Sequence, residues 1–147
     1  MRTFIRSIIA SSLLMLLFCI FINFFQITIV SGYSMAPTLK NKQIILVDKK
    51  EESFEKEDII TFRTNQYGIC VKRIVGTAGD TIKLENGKVY RNNIELSMYS
   101  CDANQNYEVL LEKNQFFVMG DNVNDSIDSR NYGPIDISTI IGVAKCY

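Results

Sequence analysis

Ser7–Val30 reads SIIASSLLMLLFCIFINFFQITIV, an uncharged run whose length decides how the rest of the chain has to be organised. At about 1.5 Å per helical residue it extends roughly 36 Å, enough to cross the ~30 Å hydrocarbon core of a bilayer with some tilt. Its only amides, Asn23 and Gln26, lie toward its far end. Arg2 and Arg6 precede it, and that positive charge predicts a cytoplasmic N-terminus with the following domain on the other side. A cleaved signal peptide would use the same arginines and an apolar stretch over Ile8–Ile22. The run is longer than the about 7–15 residues usual there, and no clear small-x-small site follows it. A retained anchor over residues 1–30 is therefore expected. Residues 31–147 hold no matching apolar block that would bury such a helix.

Beyond the anchor the composition is ordinary. The chain has 147 residues, room for one modest domain, and Lys+Arg and Asp+Glu balance at 16 each, so no net field draws in nucleic acid. Histidine is absent, which excludes a Ser–His–Asp triad, a Cys–His dyad and any His-ligated metal site. Short β-branched and aromatic runs predict strands at 43–48, 58–63, 69–77, 81–85, 88–91, 115–119 and 140–145. Asn86-Gly87 between TIKLE and KVYR is a hairpin signal, because both turn positions want positive φ, and Gly79-Asp80 marks a second turn. The charged segment 49–58 (KKEESFEKED) reads as a solvated connection. The expected fold is mainly β: one N-terminal transmembrane helix, then a compact all-β domain over 31–147. Cys19 falls in the anchor. Cys70, Cys101 and Cys146 would face an oxidising compartment, but no C-x-x-C spacing is present and nothing selects Cys70–Cys101 or Cys101–Cys146 as a disulfide.

Three clusters carry chemistry. Ser31-Gly32-Tyr33-Ser34-Met35-Ala36-Pro37 brackets a serine between glycine and proline, an irregular backbone that exposes a hydroxyl and leaves N–H groups free. With no histidine, that hydroxyl needs a carboxylate or an unprotonated lysine as its base. In ICVKRIV, strand alternation puts Cys70, Lys72 and Ile74 on one face and Val71, Arg73 and Val75 on the other. If Lys72 is buried rather than snorkelling to water, desolvation lowers its pKa from ~10.4 toward neutrality and makes the amine a base. Arginine cannot give up its charge in this way. The third cluster, Gly120 to Arg130, is rich in Asp, Asn and Ser and lacks the spacing of a Ca²⁺ loop.

Together these clusters resemble the type I signal peptidases, and the likeness spans the chain from the anchor through Tyr147. Ser34 to Leu39, directly after a membrane segment, is similar to that family's nucleophile box, and Asp58-Ile59-Ile60 to its second box. Lys72 to Asp80 matches the lysine box, with Ala78 where proline is common. Gly120-Asp121-Asn122 and Ser126 to Arg130 match the last. The resemblance implies a membrane-bound serine endopeptidase that removes signal peptides after a small-x-small site, with Ser34 as nucleophile and Lys72 as general base. It implies that Ser126 hydrogen-bonds the lysine, that Asp121 and Asp128 pair with Arg73 and Arg130 in an order left open, and that Met35 touches substrate. Its partners would be preproteins and membrane lipid, with no cofactor, metal or nucleic acid. Two departures stand out. Val123-Asn124 replace an Arg-Asp that often follows Gly-Asp-Asn, and Gly32 stands where some relatives carry a serine of the oxyanion hole. A membrane-tethered β module without catalysis, a degenerate homologue, is the alternative reading. A self-cleaving repressor-type protease shares the Ser–Lys pair, but it carries a DNA-binding head in place of a membrane segment.

Overall fold

The computed structural model describes residues 2–145. Cys146, one of the thiols considered for a disulfide, and the ends Met1 and Tyr147 lie outside the described residues. The chain opens with α1 (Arg2–Phe24) and continues into β1 (Phe25–Ile29), β2 (Ile44–Asp48), β3 (Ile59–Thr64), β4 (Gly68–Gly76), β5 (Thr81–Glu85), β6 (Lys88–Arg91), β7 (Ile94–Ser100), β8 (Tyr107–Leu110) and β9 (Gln115–Met119). A short helix α2 (Ser129–Tyr132) leads into β10 (Ile135–Asp136) and β11 (Ile140–Lys145). A seven-stranded sheet runs in the order β1-β2-β11-β3-β4-β9-β10 and a four-stranded sheet in the order β7-β6-β5-β8. Every recorded pairing is antiparallel. The mainly β fold with one N-terminal apolar helix is as the sequence predicts.

Phe4–Phe24 is long and apolar enough to cross a membrane, and its residues are exposed up to the last turn. The expected anchor boundary at residue 30 needs correction, because the helix stops at Phe24 and residues 25–29 pair with β2 from Phe25↔Asp48 to Ile29↔Ile44. A continuous apolar run does not distinguish helix from strand, and Ile27, Thr28 and Ile29 are β-branched. The helix end is fastened to β2. The Lys49 N–H donates to the Phe24 carbonyl at 2.8 Å, Lys49 Nζ to the Ile22 carbonyl at 2.7 Å, and the Lys50 ammonium lies 4.6 Å from the centre of the Phe24 ring. These contacts satisfy terminal carbonyls and set positive charge at the negative end of the helix dipole.

The predicted strands fall within about one residue of the observed ones; β1, β7, β8 and β10 were not foreseen. At Asn86-Gly87, φ is 52° and 80°, the turn that the pair predicts, and a second positive-φ turn at Asn92-Asn93 joins β6 to β7. The segment 49–58 is not wholly solvated, since Phe54 packs edge-on against Phe116 with ring centres 5.9 Å apart. The core has three parts. Val75, Ile82, Leu84, Val89, Phe117 and Met119 join the two sheets. Ile60, Phe62, Ile74, Val118 and Val143 lie under the centre of the larger one. Met35, Leu39, Ile45, Val47 and Ile59 fill the space beneath the serine loop.

Candidate active site

Ser34 sits in the turn that follows β1. The Ala36 N–H donates to the Tyr33 carbonyl at 3.0 Å and the Leu39 N–H to the Met35 carbonyl at 2.8 Å, which coils the backbone around the serine. Gly32, at φ +92°, supplies the left-handed entry, and its N–H donates to Asn41 Oδ1 at 3.1 Å. Met35 and Leu39 are 1% and 0% exposed, so apolar burial holds the loop from below. Asn122 clamps it from the side: its N–H donates to the Ser34 carbonyl at 2.9 Å and its Nδ2 to the Tyr33 carbonyl at 3.1 Å. Sequence reasoning assigns Asn122 no role of its own, although the residue stands inside the Gly-Asp-Asn motif. Gly120 is required by the same approach. A Cβ there would lie 2.5 Å from the Ser34 carbonyl oxygen and nearer still to the Ser126 hydroxyl.

Lys72 projects from β4 with Cys70 and Ile74 as its same-face neighbours, and Ile60 of β3 opposite it in register. Its Nζ lies 2.6 Å from Ser34 Oγ. The residue is 5% exposed, and among the described residues no carboxylate comes within ion-pair distance of the amine. Burial holds its pKa below the ordinary lysine value of 10.5, with Arg130 reinforcing that direction and Asp128, Cys70 and Asp125 opposing it. The arrangement therefore places a hydroxyl beside an amine that desolvation inclines to lose its proton.

The aspartate–arginine order is settled by the coordinates. Arg73 binds Asp121 through two parallel bonds, Nε to Oδ1 at 2.9 Å and Nη2 to Oδ2 at 2.7 Å, and its Nη1 donates to the Glu57 carbonyl at 2.8 Å. The bonds to Asp121 raise the pKa of Arg73. Arg130 pairs with Asp128 in the same forked way, at 2.8 Å for each bond, and also donates to the backbone carbonyls of Ser100 and Val123. Asp128 is fully buried, caps α2, and accepts from the Gly120 N–H at 3.0 Å. Ser126 departs from expectation: its hydroxyl donates to Asp128 Oδ2 at 2.7 Å, and no hydrogen bond joins it to Lys72. A buried carboxylate two residues away is the stronger acceptor. At the substituted position 123, the backbone carbonyl accepts from Arg130 and the valine side chain packs against the core that joins the two sheets. Cys19, Cys70 and Cys101 are free thiols, so Cys70–Cys101 is not bridged.

Two cavities meet at the Ser34–Lys72 pair. One, of 440 Å³, is lined by Thr28–Ser31 and Met35 on one side and Ile69–Val71 on the other. Both walls offer unpaired backbone. β1 is the outermost strand of its sheet, and β4 pairs with β9 only from Arg73 onward. The other cavity, of 520 Å³, is lined by Gly32, Tyr33, Tyr67 and Asn124–Ile127. Met35, expected to touch substrate, lines the first cavity although it is almost wholly buried.

The chain matches the family model described as "Signal peptidase, peptidase S26" over residues 1–147. It is 36% identical over 146 residues to signal peptidase I U of Bacillus subtilis, covering 86% of this chain and 78% of that protein. Signal peptidase I V of the same species is 31% identical, covering 78% of this chain and 80% of that one. Among solved structures, a signal peptidase I from Enterococcus faecalis matches with a TM-score of 0.50 at 25% identity, over 63% of this chain and 97% of that one.

Proposed function

We propose a mechanism on one premise: this chain belongs to the signal peptidase family, peptidase S26, and is a membrane-associated serine endopeptidase that removes signal peptides from preproteins. The relatives give no sign of the non-catalytic alternative. Neutral Lys72 takes the Ser34 proton as Oγ attacks the scissile carbonyl, and the resulting ammonium returns a proton to the leaving amine. Lys72 then deprotonates the water that releases the acyl-enzyme. The Ser34 N–H, which donates to no group among the described residues, takes the developing oxyanion. Asp128 and Arg130 brace the loop carrying Ser126 from within and tie it to Gly120 and to the end of β7 at Ser100, and Arg73–Asp121 fastens the start of that loop to β4.

The bound segment runs extended through the cavity between β1 and β4, with backbone bonds to their open edges and small side chains in the narrow walls. Residues 1–24 form the cytoplasmic terminus and anchor, and residues 25–147 the domain on the outer face of the cell membrane. Ile27, Ile29 and Ile44, each more than 60% exposed on strands that follow the helix, lie toward the lipid.

The observation that carries the mechanism is the 2.6 Å approach of a buried, unpaired amine to Ser34 Oγ. The test is incubation of the detergent-solubilised chain with a preprotein, followed by N-terminal sequencing of the product. Ser34→Ala and Lys72→Ala should each lower kcat/KM by at least about a thousandfold. Retention of cleavage by either variant would refute the assignment.

A further inference from the structure

We propose that the 520 Å³ cavity is a subsite for the first residues after the scissile bond and that Asp125 makes it selective for basic over acidic ones. The inference rests on the endopeptidase mechanism above. The two cavities share Ser34 and Lys72, so a substrate crossing the nucleophile must place one half in each. The cavity between β1 and β4 adjoins the strand that emerges directly from the membrane helix. The membrane-embedded half of a preprotein is its signal peptide, which therefore occupies that cavity. The leaving half falls into the other.

The lining of this second cavity is built for covering. Tyr33, Tyr67 and Ile127 are 59%, 44% and 51% exposed, a set of large apolar side chains around its rim. Its one carboxylate is Asp125, carried on the 3-10 turn Val123–Asp125, which the Asp125 N–H bond to the Asn122 carbonyl at 3.1 Å helps to hold. Asp121 and Asp128 are each neutralised by an arginine, whereas the Asp125 carboxylate makes no hydrogen bond or ion pair among the described residues. The only cationic side chain in the lining is Lys72, and it must be neutral to act. A reactive complex thus leaves one uncompensated negative charge beside the departing amine. Lysine or arginine in the first two positions of the mature chain would be attracted, with the Tyr33 and Tyr67 rings at hand for cation–π contact, and Asp or Glu repelled.

The test uses the full chain in detergent micelles and three peptides that share a small-x-small site. They differ only in the two residues after it: Lys-Lys, Gln-Gln or Glu-Glu. The expected order of kcat/KM is Lys above Gln above Glu, with roughly three- to tenfold between the extremes, shrinking as salt is added. Asp125→Asn should bring the ratio to within about twofold, and Asp125→Lys should invert it. Asp125 also acts on Lys72, so the ratio within each enzyme is the readout, because an effect on the amine is common to all three peptides and cancels. Equal rates for all three peptides with the wild type, or a wild-type preference persisting in both variants, would overturn the subsite. A wild-type protein that cleaves none of the peptides would count against the Ser34–Lys72 mechanism itself.

Discussion

At position 72 the useful property of lysine is that burial can strip its proton. The ammonium form is disfavoured by desolvation, so the neutral amine becomes available at lower pH than in free lysine, and it is the neutral form that can accept the Ser34 proton. Activity is accordingly expected to rise with pH through a midpoint below 10.5, read from the pH profile of kcat/KM. A midpoint at the ordinary lysine value would mean the amine is wet in solution. Lys72→Arg keeps the cation and most of the packing but should lose at least about a thousandfold in kcat/KM, because a guanidinium stays charged. Ser34 and Lys72 can be singled out in the sequence because each stands out locally, one between glycine and proline, the other as a cation in an apolar strand, and the fold brings the two side chains within 2.6 Å. The ion-pair order was not legible, since either aspartate suits either arginine until register is known. Arg73 lies opposite Met119 across β4 and β9, which brings it beside Asp121 and leaves Asp128 to Arg130. Ser126 was misplaced for a related reason, its true acceptor being a buried carboxylate whose depth no spacing reveals.

Turns and strands show a similar division. Asn86-Gly87 identified its hairpin from two residues, whereas Asn92-Asn93 carries a weaker signal and β7 behind it (IELSMYS) is largely exposed, so neither pattern nor burial marked the strand. The turn leading into β5 is organised by Asp80, 5% exposed, which accepts from the Thr77 N–H, from Asn92 Nδ2 and from Lys56. Burial alone would raise its pKa, but these donors more than offset that and hold it below 3.8. A carboxyl depressed on folding stabilises the protein above its unfolded pKa, and that contribution is lost as pH falls through the folded value. Asp80→Asn should therefore lower Tm near neutrality and flatten the fall in Tm on acidification below about pH 4. In the loop after β9, Gly120→Ala should cost about 1–3 kcal/mol in urea denaturation, since the added carbon meets the Ser34 carbonyl and the Ser126 side chain. Its kcat/KM should fall at least about tenfold, because relief of the clash displaces the nucleophile loop.

Across the whole molecule, α1 passes into β1 without a linker and Lys49 binds its last turn, so the end of the helix is tied directly to the sheet. The expectation of a membrane segment followed by a β domain was legible from charge and length. The junction was not, because Phe25–Ile29 continues the uncharged run of the helix it follows. Inserting four Gly-Ser residues between Phe24 and Phe25 preserves the pairing of β1 with β2 while freeing the helix. Peptide cleavage in detergent should stay within about twofold, whereas processing of a membrane-inserted preprotein in liposomes should fall several-fold as effective concentration is lost. The unpaired edges of β1 and β4 carry a broader consequence. Whatever lies between them completes a ladder of main-chain amides, and a coiled segment has none to offer because its own are already spent. The enzyme would then test conformation before it tests side-chain size: a leader wound into helix right up to the junction is a poor ligand until it unravels, and a residue that interrupts that winding a few positions upstream would speed processing without ever touching the pocket.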